Sequence, residues 1–449
     1  MTDTFCPLPW IGYSIRCNGI VRICCHANQG PTRGILLKED NTSFKYNDSI
    51  DESRNSKTLK NVRASLLNGK WHPECIRCMR EFNSGLRPRN HYDNSRWEKY
   101  FSEEDARELT KSDGSINTSK IPLRYFDLRF GNTCNLRCRM CCPTDSSGWF
   151  KEYETVYGTN KYDEYAETVT KIKIVKEGSK YVAEGKPYDW YKENVFWEEL
   201  SKYKDSMKSV YIVGGEPLII HEHYDFLDDC VKDGYSKGIR IEYNTNLTVV
   251  PERAIKLWKN FSQVDFGVSV DGVGKVNDYI RWPSKFSTVE KNIKLLDEIE
   301  SNHILWTSYT VSVYNLLHLP EFMIWKIRQK FKRVNPSPYN PFMAIHPLHR
   351  PNYMNIKMFP KKSADIIEKH LRGSVQRVGD ELEKSDNKNV EKNVKIYSDI
   401  IEGYIKYMNQ EDYSKSIPKF WSVNNKIDEV RGCKLKDYIP EIIDLLPIR

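Results

Sequence analysis

From residue 121 onward, short apolar strands alternate with longer amphipathic segments, and this alternation narrows the possible folds more than any other feature of the chain. Candidate strands lie at 123–130, 209–213, 239–244, 264–270, 304–313 and 341–347, with helices predicted at 222–234, 251–260 and 286–302. A strand that is followed by a helix before the next strand pairs with it in parallel, because a parallel return needs a long crossover. Six such units predict an α/β fold, a partial (βα)6 TIM-like barrel over 121–347. Its active site is expected at the C-terminal ends of the strands.

Other regions flank this core. Residues 1–100 are cysteine-rich and carry one clear helical pattern, "KTLKNVRASLLNG" (57–69); "SDGSINTSK" (112–120) reads as a linker. The stretch of about 145–205 is too long for one connection and reads as an insertion, with a hairpin at 171–185 and an aromatic helix at 188–200. Residues 350–449 read as a charged, helical C-terminal region.

Composition bounds the function only loosely. The net charge of +8 (69 basic against 61 acidic residues) is mild for 449 residues and forms no dense stripe of the kind that tracks nucleic acid. The start, "MTDTFCPLPWIGYSI", lacks a charged segment followed by an apolar core, and no apolar run reaches the length of a membrane span. A cytoplasmic protein with no membrane partner is expected, in which thiols stay reduced. Twelve cysteines there point to metal or catalysis before disulfides.

Ten of the twelve fall in two groups. "NTCNLRCRMCCPT" (132–144) directly follows the first candidate barrel strand and spaces Cys134, Cys138 and Cys141 as C-x3-C-x2-C. Three thiolates this close converge on one centre, and soft sulfur selects zinc, copper(I) or iron–sulfur clusters. A structural zinc or an electron-transfer cubane takes four protein ligands, so three leave one corner open. Cys142 points elsewhere, since adjacent side chains diverge, and reads as packed beside the centre.

C-x3-C-x2-C after the first strand resembles the signature of the radical S-adenosylmethionine (SAM) enzymes. The resemblance implies a [4Fe–4S] cluster held by Cys134, Cys138 and Cys141, with SAM on the open iron, and reductive SAM cleavage to a 5′-deoxyadenosyl radical that takes hydrogen from a substrate. Met140 stands where the family places a residue beside the adenine. "VGGEP" (213–217) resembles the family's GGEP motif, which implies that Gly214, Gly215, Glu216 and Pro217 serve the SAM amino group. In "YNTN" (243–246), Asn244 and Asn246 match positions that bond ribose hydroxyls. "SVDGVGKVNDYIR" (269–281) resembles a segment of the peptide-modifying branch, with Ser269 on SAM, Arg281 on its carboxylate and Asp271 toward substrate.

The first group reads Cys6, Gly19, Cys24, then "CIRC" with Cys75 and Cys78. Four thiolates from a hairpin and a C-x2-C knuckle complete a tetrahedral site for zinc or iron–sulfur. The pattern looks like the twitch domain, the shortened SPASM module of radical SAM maturases, which implies a second, auxiliary iron–sulfur cluster. In better-known members that module follows the barrel; here it precedes it. Cys25 competes with Cys24, and the spacing from Gly19 favours Cys24.

The expected function is therefore radical SAM chemistry on a peptide, protein or small-molecule substrate, served by an electron donor such as flavodoxin or ferredoxin. The rivals are an activase that plants a glycyl radical on a partner protein, and a zinc protein that binds nucleic acid.

Overall fold

The computed structural model describes residues 2–28, 30, 32–83, 87–157, 172–334, 344–385 and 389–447. The chain forms two compact units: Met1–Thr133, Ala166–Tyr243 and Glu252–Val264 in the first, and Cys134–Tyr165, Asn244–Pro251 and Asp265–Arg449 in the second. It is a mixed α/β protein whose sheet strands run mostly parallel and whose C-terminal region is helical, the class expected for a partial TIM-like barrel.

Ten strands are numbered in chain order: β1 (Gly12–Ile15), β2 (Val21–Arg22), β3 (Tyr125–Phe130), β4 (Ile174–Glu177), β5 (Lys180–Ala183), β6 (Ser209–Gly214), β7 (Arg240–Thr245), β8 (Gln263–Ser269), β9 (His303–Val311) and β10 (Ala344–Pro347). In the first unit the order is β2-β1-β3-β6-β7, with only β1–β2 antiparallel. Tyr125 pairs with Ser209 and Ser209 with Arg240, so side chains of equal parity share a face. On β3 the apolar parity is Phe126, Leu128 and Phe130, all buried. The opposite parity is Tyr125, Asp127 and Arg129, where the buried Asp127 accepts from Ser14 Oγ at 3.2 Å and pairs with Arg129 at 3.4 Å. Strands buried on both faces suit a parallel sheet.

Residues 1–100 do not stand alone. β1 lies parallel beside β3, with Gly12 opposite Tyr125 and Ile15 opposite Leu128. Helix Lys57–Leu67 is capped by Ser56, whose hydroxyl accepts from Leu59 N at 3.3 Å. From this helix the buried Arg63 donates to Pro9 O (2.7 Å), Arg54 O (2.6 Å) and Gly114 O (3.3 Å), so one guanidinium ties three backbone carbonyls from separate segments together. The first compact unit joins residues 1–100 to part of 121–347, and the second joins the rest of 121–347 to 350–449. Within the expected insertion, the antiparallel hairpin β4–β5 and helix Asn194–Ser201 are present; 158–171 lies outside the described residues.

The second unit holds most of β8, then β9 and β10, with Ser308 opposite Ala344. The strand expected at 341–347 is seen over Ala344–Pro347, and 341–343 lies outside the described residues. Helices Lys361–Glu383 and Val390–Met408 pack together, while Ile417–Arg431 packs on Phe150–Tyr157. Among the described residues, no helix is long and apolar enough to cross a membrane.

Candidate functional site

The loop 134–142 begins the second unit. Cys138 is buried and Cys134 and Cys141 are half-buried. The three thiols converge: Cys138 and Cys141 share a hydrogen bond that lowers the Cys138 pKa and raises that of Cys141, and Cys134 adds to the rise at Cys141. Cys142 turns away, with its Sγ 2.8 Å from Thr144 Oγ1 and 3.4 Å from Asp145 Oδ2.

Local hydrogen bonds hold this shape. Cys141 N donates to Cys138 O at 3.0 Å, and Trp149 Nε1 donates to the same carbonyl, also at 3.0 Å. The backbone amides of Arg137 and Arg139 donate to Trp282 O and Ile280 O, both at 2.8 Å, which straps the loop to residues 280–282. The Arg139 side chain, flanked by Cys138 and Cys141 in sequence, points away from the thiols and is 1% exposed. It donates to Asn424 Oδ1 (3.0 Å), Asp428 Oδ1 (2.5 Å) and Tyr279 O (3.0 Å), with its guanidinium 3.5 Å from the Tyr279 ring centroid. Arg431 donates to Arg137 O at 2.7 Å and pairs with Glu152 at 2.9 Å. The helix Ile417–Arg431 therefore grips the cysteine loop from behind. Residues 424, 428 and 431 carry no signal in the sequence; only the position of Arg139 within the motif hints at such a role.

Six more expected residues lie in the same unit. Asn246 Nδ2 is 3.9 Å from Cys134 Sγ and 3.0 Å from Asn135 Oδ1, while its Oδ1 accepts from Thr248 N at 2.9 Å. Arg281 pairs with the wholly buried Asp271 at 2.6 Å. Burial works against the Arg281 charge, but Asp271 and the thiols of Cys138 and Cys141 outweigh it and raise its pKa. Asp271 also accepts from Thr310 N at 2.8 Å, so its carboxylate is engaged inside the turn and braces Arg281; burial raises its pKa. Asn244 is exposed, and a Cβ at Gly267 would come within 2.3 Å of its Oδ1, so glycine there leaves the amide its place. Ser269 and Met140 are half-buried.

Gly214, Gly215, Glu216 and Pro217 belong to the first unit and close β6 against the end of β3. A Cβ at Gly215 would stand 2.2 Å from Thr133 O, and Gly214 has φ +142° with Phe130 O 2.5 Å from where its Cβ would be. Glycine is needed at both for backbone to meet backbone. Glu216 N donates to Thr133 O at 2.8 Å, and the buried Glu216 carboxylate caps Leu218 N at 3.1 Å.

The N-terminal group is also in the first unit. Cys6, Cys24, Cys75 and Cys78 line a single cavity together with His26, Leu8, Ile23 and Trp71. Burial raises all four thiol pKa values, with repulsion from the neighbouring thiols adding to the rise at Cys6, Cys24 and Cys75. Cys25 is turned out of this cavity, with its Sγ against the Arg89 guanidinium. His26 was not foreseen at this site.

The two donor sets are three thiols of one loop with the fourth turned aside, and four thiols around one cavity; sets of this kind suit a thiophilic metal or cluster. Residues 128–321 match the family model of the radical SAM superfamily. All the loop cysteines and the later motifs fall inside that span. None of the curated proteins matches the chain. Among solved structures, it is similar to native anSMEcpe with bound AdoMet (15% identity, TM-score 0.35, covering 57% of this chain and 61% of that one). It is also similar to Streptococcus suis SuiB bound to precursor peptide SuiA (14% identity, TM-score 0.31, covering 83% of this chain and 70% of that one). The chain spans less than two thirds of the length of anSMEcpe.

Proposed function

We propose that this chain is a radical SAM enzyme that modifies a peptide or protein. The observation that carries the reading is the convergence of Cys134, Cys138 and Cys141 in a loop whose fourth thiol, Cys142, is taken up by Thr144 and Asp145. Three thiolates hold three irons of a cubane and leave the fourth for a ligand that is not protein. A [4Fe–4S] cluster bound there with SAM would supply radical chemistry, the abstraction of a hydrogen atom from the substrate.

The chain's own residues bind and orient. Arg281, braced by Asp271, offers paired donors to the SAM carboxylate. Asn244, Asn246 and Ser269 serve the ribose and neighbouring groups, Met140 packs beside the adenine, and Gly214, Gly215, Glu216 and Pro217 meet the amino group. Cys6, Cys24, Cys75 and Cys78 hold an auxiliary iron–sulfur cluster, a reading supported by their sharing one cavity. Electrons come from a flavodoxin- or ferredoxin-type donor.

Anaerobic reconstitution with iron and sulfide, followed by reduction with SAM present, is expected to yield 5′-deoxyadenosine. Cys138→Ala should reduce that yield to background. A Cys138→Ala chain that still cleaves SAM refutes the assignment, and stoichiometric zinc at both thiol sites returns the reading to a zinc protein.

A further inference from the structure

The auxiliary cavity holds one donor that the four-thiolate reading does not use. His26 follows the Cys24–Cys25 pair and lines the cavity with Cys6, Cys24, Cys75 and Cys78. A His26 ring nitrogen, Cys78 Sγ and a Glu81 carboxylate oxygen all lie within 4.8 Å of one another. Nδ1 of His26 is shut off from solvent and has no hydrogen-bond partner among the described residues. A buried ring nitrogen left without a partner is unusual in a folded chain and calls for a group to meet it.

Two of the neighbours can be weighed as that group. Glu81 is already engaged by Arg77, whose Nε lies 3.1 Å from its carboxylate, and its side chain is 24% exposed. It is also a hard oxygen donor, poorly matched to a sulfur-rich centre. The Cys78 sulfur is soft and polarisable, and as a ligand thiolate it accepts hydrogen bonds. The four thiols that line the cavity supply the full donor count of a sulfur site without nitrogen, which leaves the imidazole to act as a donor. Hydrogen bonds to ligand sulfurs withdraw charge and favour the reduced, more negative state of a cluster.

Resting on the auxiliary-cluster reading above, we infer that His26 is a positioning residue of the auxiliary centre. It gives a ring N–H to the Cys78 sulfur, raises the reduction potential of that centre and does not ligate iron. No other role of His26 is needed, and the catalytic loop is untouched by the substitution.

The test uses the full chain in a Cys138→Ala background, which silences the SAM-binding site, after anaerobic reconstitution. Iron and sulfide content, the reduced-state EPR spectrum and a redox titration are read for His26, His26→Leu and His26→Gln. The expected result is unchanged iron and sulfide, a lower midpoint potential with shifted g values in His26→Leu, and partial return toward the parent in His26→Gln, which keeps an N–H. Equal potentials and spectra in all three overturn the inference. Loss of cluster iron in both variants overturns it too, because His26 is then a ligand. Zinc, or no second cluster, in the His26 parent sinks the auxiliary-cluster reading itself, a failure visible before any His26 variant is compared.

Discussion

At the residue scale, two pairs of adjacent cysteines divide in the same manner. Cys141 faces Cys138 while Cys142 meets Thr144; Cys24 lines the auxiliary cavity while Cys25 meets Arg89. Successive side chains leave the backbone in different directions, so one residue of each pair is committed to the centre and its neighbour to packing. In the Cys138→Ala background, Cys24→Ala should therefore lose the second centre's iron, and Cys25→Ala should keep it; equal losses would contradict the split. The glycines of the 213–217 segment act by having no Cβ. Gly215→Ala forces a methyl to within 2.2 Å of Thr133 O, a backbone atom that cannot rotate aside. Overpacking of this kind costs about 1–3 kcal/mol. The variant should show a lower thermal midpoint, whether or not SAM is present.

At the scale of elements, the helix Ile417–Arg431 is what gives the cysteine loop a rigid back. Arg139 is charged and buried, and Asp428 is the carboxylate that compensates it while also accepting from Tyr279 Oη at 2.8 Å and Leu435 N at 2.7 Å. Removing one partner of a buried pair strands the other, at a cost of about 3–5 kcal/mol. Asp428→Ala should therefore destabilise the chain by that order in denaturant titrations and depress iron uptake at the three-cysteine loop. Asp428→Asn, which keeps a hydrogen-bond acceptor, should lose less on both counts. A destabilised Asp428→Ala chain that still loads the loop fully would show that the helix supports the fold without positioning the cysteines.

For the whole molecule, the N-terminal segment is joined to the strands of the domain that follows it. β1 pairs with β3 along four residues, and Trp10, Ile11, Tyr13 and Ile15 are all buried. A chain beginning at residue 101 loses that partner strand and exposes an apolar edge on β3, a template for aggregation. It should be recovered as aggregate or with a sharply lowered thermal midpoint. A soluble chain with the full-length melting profile would show the segment to be a separable module after all.

Sequence alone determined what depends on local order. Alternation of apolar strands and amphipathic helices gave the α/β class, because periodicity and crossover length act within some thirty residues. C-x3-C-x2-C placed three thiols on one turn for the same reason. The hold of Asn424, Asp428 and Arg431 on the cysteine loop is of another kind, since the pairing of Arg139 with Asp428 joins residues 289 positions apart. Likewise, the pairing of β1 with β3 and the arrival of His26 beside Cys78 follow from how elements pack. Packing energy depends on which surfaces meet across the chain, and nothing in the spacing of neighbouring residues encodes that meeting.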